Sequence, residues 1–304
     1  MTENYQTKLV SRKRFLKQSG MLSLPFIPGF ESLVNAFSFD KAELTVQQVI
    51  DKVLASVPGV HIANTVDTVK YGDPNQVVTG IVTTMFATDE VIEAAAKMGA
   101  NFIIVHEPTF YNHVDDTKWL ENDPVFVFKA ALLKKYKIAV WRYHDYIHSH
   151  VPDGVLVGVM EAVGWKKYYD VKIPNVFTIP GKKLSSIITD LKKSLKIEHV
   201  KYIGDDDMIC SKIGLLPGAA GGMKQIALIK DNNPDVLIVG ELNEWETSEY
   251  VRDLRASGKK NCLIVLGHIQ SEEPGSEWLS DWIRKNISGI KVTHIPSNDA
   301  FKWK

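Results

Sequence analysis

From residue 45 onward, apolar positions follow a helical period in some stretches and run together or alternate as in strands in others. Thr45 to Val57 places apolar residues at helical spacing, whereas Gln76 to Ala87 is β-branched and apolar, as a strand would be. Thr88 stands where a cap is needed for a following helix, with Asp89 and Glu90 in its first turn; that helix runs to Met98 and stops at Gly99. Phe102 to Val105 contains no polar residue, which marks a short strand covered on both faces. Pro124 to Lys137 reads as helix, Ile138 to Tyr143 as strand, and Val155 to Val163 as helix closed by Gly164. The second half keeps this rhythm. Strands are expected at 176–179, 199–203, 212–216, 236–239, 262–266 and 292–295. Helices are expected at 184–195, from the glycine-rich 218–222 to 229, at 246–256 and at 277–287, with Pro274 near the start of the last. Such alternation predicts an α/β fold: two lobes whose mainly parallel or mixed sheets are covered by helices, with a boundary near 165–180.

Composition narrows the function classes. The 304-residue chain is 45% hydrophobic and 24% charged, and its 36 basic and 36 acidic residues cancel. A nucleic-acid binder usually carries a basic excess, so nucleic acid is not the expected partner. No apolar run reaches the roughly 18 residues of a membrane helix, so stable membrane insertion is not expected. Cys210 and Cys262 each sit in or beside an apolar strand and read as buried free thiols, with a disulfide left open. Residues 1–40 are set apart from the folded region, 41–304. Ser11-Arg12-Lys13-Arg14-Phe15-Leu16-Lys17, a modest apolar stretch and Ala36-Phe37-Ser38 resemble a twin-arginine export signal and its cleavage site, with Lys13 where the second arginine would stand. This places the protein in the periplasm; a basic tail on a cytoplasmic protein is the other reading.

Candidate chemistry gathers where strands end, as it does in α/β sheets. Phe102-Ile103-Ile104-Val105 runs straight into His106-Glu107-Pro108. The strand at 138–143 leads into His144-Asp145-Tyr146-Ile147-His148-Ser149-His150, and the strand at 262–266 into Gly267-His268-Ile269-Gln270-Ser271-Glu272. Imidazole and carboxylate together suit Zn, Mn, Fe or Co better than Ca. A carboxylate can bridge two ions that then share a water. Gly218 to Gly222 has neither P-loop nor dinucleotide spacing and reads as a tight, closely packed turn, while Asp205-Asp206-Asp207 reads as a solvated turn. No nucleophile motif with a serine or cysteine is present.

At these three segments the sequence resembles the NIF-three-like family, whose members are often named GTP cyclohydrolase 1 type 2 homologues. The likeness covers roughly residues 45 to 304. His106-Glu107-Pro108 stands where the family has His-His-Pro, and His144 to His148 where it has His-Thr-Asn-Leu-Asp, so Glu107 and His148 replace the expected ligands. Gly267 to Glu272 matches the third motif fully, and Val236 to Glu241 is similar to a further strand end. The resemblance implies a two-lobed fold of the short form, a two-metal site and a toroidal homohexamer. It also implies metal ligands at His106, Glu107, His148, His268 and Glu272, with Glu272 as the bridge. The two replacements compensate in charge. His144 or Asp145 would orient a ligand or move a proton. The resulting expectation is a dinuclear metal-dependent hydrolase of an unidentified small molecule, holding two divalent transition metals per subunit. A non-catalytic metal-binding or scaffold toroid is the alternative.

Overall fold

The computed structural model describes residues 43–57, 59 and 61–304. The export-signal reading falls on residues 1–40 and so lies outside the described residues. Helix α1 (Val46–Leu54) starts at a capping box: the Thr45 side chain accepts from the Gln48 amide, and the Gln48 side chain accepts from the Thr45 amide. Its buried face, Val46, Val49, Ile50 and Val53, has helical spacing. Then come β1 (Val69–Tyr71), β2 (Ile81–Thr84), α2 (Asp89–Lys97), β3 (Phe102–Val105), α3 (Pro124–Tyr136) and β4 (Ala139–Arg142). Thr88 caps α2 through the Val91 amide, and Asp123 caps α3 ahead of Pro124. A single turn, α4 (Asp145–His148), leads to α5 (Gly154–Ala162).

The remaining elements are β5 (Val176–Lys183), α6 (Leu184–Leu195), β6 (Lys201–Ile203), β7 (Ile209–Leu216), α7 (Gly222–Asn232), β8 (Val236–Val239), α8 (Glu249–Ala256), β9 (Cys262–Val265), α9 (His268–Asn286) and β10 (Val292–His294). They complete two five-stranded sheets, ordered β1-β4-β3-β2-β10 and β5-β7-β8-β9-β6. Strands β4, β3, β2 and β10 run parallel, as do β7, β8 and β9, and β1, β5 and β6 are antiparallel edges. The fold is therefore mixed α/β with helix-covered sheets. The chain moves to the second sheet at Val176 and returns to the first at β10.

One apolar cluster joins the facing sides of both sheets. It includes Phe102, Ile104 and Trp141 from the first sheet, Phe177, Ile213 and Ile238 from the second, and Leu279 and Ile283 from α9. Helix α9 lies against α5, β2 and β10. Its crossing with α5 is close because glycines meet backbone there. A Cβ on Gly158 would overlap the Pro274 carbonyl group, and one on Gly275 would press on the Val155 Cα. Pro274 lies inside α9, which begins at His268, nine residues before the expected start at 277. Among the described residues, no helix is long and apolar enough to cross a membrane. Cys210 and Cys262 are buried and free.

Candidate metal centre

The carboxyl ends of β3 and β4 in one sheet meet those of β8 and β9 in the other. The β2–β3 ladder continues beyond its last strand residue: the amides of His106 and Glu107 donate to the Thr84 and Met85 carbonyls at 3.1 and 3.0 Å. His106 and Glu107 are thus held as rigidly as strand residues. His148 ends α4 and His144 stands at its N-terminal cap, where free amides need partners. Asp67 supplies them, accepting from His144 and Asp145 at 2.7 and 2.9 Å and from Tyr146 at 2.9 Å. Burial keeps the Asp67 carboxyl above its ordinary range, although these amides pull it down. His268 and Glu272 stand one turn apart on α9, hence on one face.

Four imidazoles share one arrangement, in which Nδ1 is engaged by an acceptor. His106 Nδ1 lies 3.3 Å from the Tyr143 carbonyl oxygen. His144 Nδ1 donates to Asp145 Oδ1 at 3.0 Å, His148 Nδ1 to Asp153 Oδ2 at 2.8 Å, and His268 Nδ1 to Glu241 Oε2 at 3.2 Å. Such outer partners fix tautomer and ring direction for metal-binding histidines. His268 Nε2 lies 3.2 Å from Glu107 Oε1 and 3.0 Å from Glu272 Oε2. His106 Nε2 is 3.4 Å from Glu272 Oε2. Donors held at about 2.0–2.2 Å by one ion stand roughly 3.0–3.5 Å apart at octahedral to tetrahedral angles, so these spacings fit a shared cation.

His106 gives the sharpest test of fit. A carbonyl oxygen only accepts, so Nδ1 carries the hydrogen and a neutral ring presents a lone pair at Nε2. That buried atom makes no hydrogen bond, and its nearest carboxylate, Glu272, also presents electron pairs. A cation between them resolves the conflict. Without one, protons must serve. Burial disfavours a charged His268, but Glu107 and Glu272 outweigh it and hold the imidazole up at about 10. Burial likewise opposes ionisation of Glu272, and His106 and His268 overcome it, keeping that carboxyl below its ordinary range. His144 is driven down to about 4 by burial and by the neighbouring His106. The side chains of His106 and Glu272 are 3% and 5% exposed, against 22% for His144 and 21% for His268. The centre is therefore open to solvent on the side of His144, His148 and His268, His148 being 33% exposed.

All five expected ligands, His106, Glu107, His148, His268 and Glu272, meet here, and His144 and Asp145 lie with them. Asp145 is anchored in turn by Thr65 Oγ1 at 2.8 Å and the Val66 amide at 3.0 Å. His150 is turned away, its Nε2 2.9 Å from the Tyr143 hydroxyl. Gly218 leaves room for Glu272, whose carboxylate a Cβ would strike, so the glycine-rich segment packs against the site, as a tight turn should. Arg142 escaped the sequence reading. Wholly buried at the end of β4, it donates to the His106 carbonyl at 3.0 Å and to Glu107 Oε2 at 3.1 Å, and also to the His113 carbonyl. Its signal was present: a lone arginine in an otherwise apolar strand. Asp153 also escaped it, although its place as the cap of α5 was legible.

The family model for Duf34/NIF3 (NGG1p interacting factor 3) matches residues 45–300. The chain belongs to the NIF3 family. Among its relatives is the GTP cyclohydrolase 1 type 2 homolog of Clostridium perfringens, 25% identical over 239 residues that span 75% of this chain and 86% of that protein. The homolog of the same name from Clostridium acetobutylicum is 23% identical over 250 residues, covering 77% and 88%. The NIF3 fold is also seen in solved structures. Staphylococcus aureus protein SA1388 superposes with a TM-score of 0.68 at 18% identity, covering 86% of this chain and 99% of that one. A Bacillus cereus protein related to NIF3 gives 0.69 at 15% identity, with the same coverage.

Proposed function

We propose that this NIF3-family protein is a metal-dependent hydrolase with a dinuclear centre, acting on a small molecule. The observation that carries the reading is the common orientation of four imidazoles, each held at Nδ1 and set around two carboxylates. His106, Glu107, His148, His268 and Glu272 would hold the ions, with Glu272, which lies beside both His106 and His268, as the bridge. A bound dication pair supplies polarisation of a substrate oxygen and a lowered pKa for water. Burial opposes ionisation of Glu107, but His268 and the neighbouring imidazoles hold its carboxyl below the ordinary range; Arg142 fixes its Oε2, and Asp145, Asp153 and Glu241 hold their rings in line. The relatives' name suggests a cyclic amidine or phosphoester-like substrate, and we adopt that class as part of the proposal. A non-catalytic metal-binding toroid is a second reading, favoured by the deep burial of His106 and Glu272.

The test uses the purified full chain, stripped with a chelator and reloaded with Zn, Mn, Fe or Co. Two ions per chain and metal-dependent turnover of a cyclic amidine or phosphoester are the expected result. Two ions without turnover would favour the toroid that only binds metal, and no uptake at all would remove both readings. We extend the proposal to a ring-like homo-oligomer near six subunits. Light scattering well above micromolar concentration should report about six times the 34.1 kDa chain mass, and a monomer would end that part of the proposal.

A further inference from the structure

The site is not one cluster of equivalent donors. Its ligand atoms fall into two groups of different chemistry, three imidazoles and a carboxylate-rich set, with His106 within reach of both. His106, His144 and His148 each offer a ring nitrogen, and the three nitrogens lie within 4.8 Å of one another. The rings of His106 and His144 stack at 4.7 Å and 24°, and His148 stands edge-on to both, at 5.1 and 5.0 Å. Opposite them, His268 Nε2 lies 3.2 Å from Glu107 Oε1 and 3.0 Å from Glu272 Oε2. Two contacts join the halves: His106 to Glu272 at 3.4 Å, and His144 Nε2 to Glu107 Oε1 at 3.9 Å. With Nδ1 of His144 committed to Asp145, only its Nε2 is left to serve the centre.

Resting on the proposed metal centre, we infer that His144 is itself a ligand, closing a three-imidazole position that selects a different ion from the carboxylate position of Glu107, Glu272 and His268. Neutral imidazoles bring no charge, so the first position favours ions that bind nitrogen strongly, zinc or cobalt among them. The second has two carboxylates, and Glu107 Oε2 is tied to Arg142, which leaves Oε1 for the ion. Oxygen-rich donors of this kind suit manganese. The orphaned, buried Nε2 of His106 points independently to a missing electrophile at the junction. His144 then cannot also be the group that moves a proton, because its only free nitrogen is occupied.

The experiment titrates the chelator-stripped full chain with one equivalent each of Zn(II) and Mn(II). Bound metal is read by mass spectrometry, and the environment of manganese by electron paramagnetic resonance. The wild type should retain one of each. His144→Ala should keep manganese and lose zinc affinity by more than the roughly 10–100-fold that removal of an outer partner costs, while Asp145→Asn, which removes such a partner, should fall within that range. His268→Ala should do the reverse, keeping zinc and releasing manganese. Co(II) absorption should lose its imidazole-site bands in His144→Ala alone. If the alanine variant does not fold by circular dichroism, His144→Gln takes its place. Wild-type zinc affinity in a folded His144 variant overturns the inference while leaving the metal centre standing. A wild type that binds neither ion overturns the centre itself.

Discussion

Replacing His268 and Glu272 together with alanine is expected to strip the ion of the carboxylate-rich half and to leave at most the one held by His106, His144 and His148. Glu272 lies within 3.0 Å of His268 and 3.4 Å of His106, so it touches both halves of the centre. His268 is the imidazole of the carboxylate-rich half. Removing both leaves that half with Glu107 alone and takes the bridging oxygen from the other. One carboxylate whose second oxygen is bound to Arg142 cannot supply the several donors a transition ion needs. The pair is also the better choice on folding grounds. Either single change strands a buried partner of opposite charge, whereas the double change removes one group of each sign and leaves Glu107 with its arginine. Metal content per chain, measured after exhaustive dialysis, should fall from two ions to no more than one while circular dichroism stays that of the wild type. Undiminished content in a folded double variant would sink the assignment of the site.

The strands that carry the site were readable because burial on both faces leaves an unbroken apolar run. Phe102 to Val105 and Val236 to Val239 are strands with those bounds, and Leu184 to Leu195 is a helix with its expected ends. Three elements escaped, each for a physical reason. Strand β1 has three half-buried residues at a sheet edge, too few and too exposed to make a pattern. Helix α4 has four residues and is capped by Asp67, far away in the chain, so nothing local announces it. The first turns of α9 bury Ser271, Glu272, Gly275 and Ser276. That face has helical spacing, but small and polar residues fill it because α5 crosses so closely at Gly158, and an apolar period cannot detect it. The strand expected at 76–87 shortens to Ile81–Thr84, although Val78, Met85 and Ala87 beside it are also buried.

The site shows the same division. Ligand types at strand ends stood out because imidazole and carboxylate abruptly follow dry sequence. The groups that aim them did not. Asp153 reaches His148 from the segment after it, Glu241 reaches His268 from just past the end of β8, and the carbonyl holding His106 belongs to Tyr143. Backbone acceptors have no signature in sequence. Glu107 and His148, expected to compensate in ligand charge, each also have a partner of their own. Glu107 meets Arg142 at 3.1 Å and His268 at 3.2 Å. His148 donates to Asp153, which raises its pKa against the effect of burial.

That arginine sets the largest expected effect on stability. Arg142 has no exposed surface, and its guanidinium satisfies the carbonyls of His106 and His113 and the Oε2 of Glu107, with Asp115 Oδ2 3.7 Å away. Arg142→Met keeps an unbranched chain of similar length but strips every donor. The buried His106 carbonyl, the His113 carbonyl and a carboxylate oxygen then lose this partner, while Asp115 retains Lys70 at 3.4 Å. Breaking a buried ion pair from one side costs about 3–5 kcal/mol, and urea unfolding should show a loss of that order. Arg142→Lys should recover little, since one ammonium group cannot span three acceptors in the plane that the guanidinium covers. Glu107→Gln in the Arg142→Met background should restore part of the loss, because the stranded charge is then gone. With the wild type and Glu107→Gln alone, Arg142→Met and this double variant form a cycle whose coupling term isolates the pair. A coupling near zero would mean that Arg142 serves the two carbonyls alone. Glu107 is held below its ordinary range by His268 and its neighbouring imidazoles against burial, and the charge balance of the centre would then be assigned to those rings and to the metal.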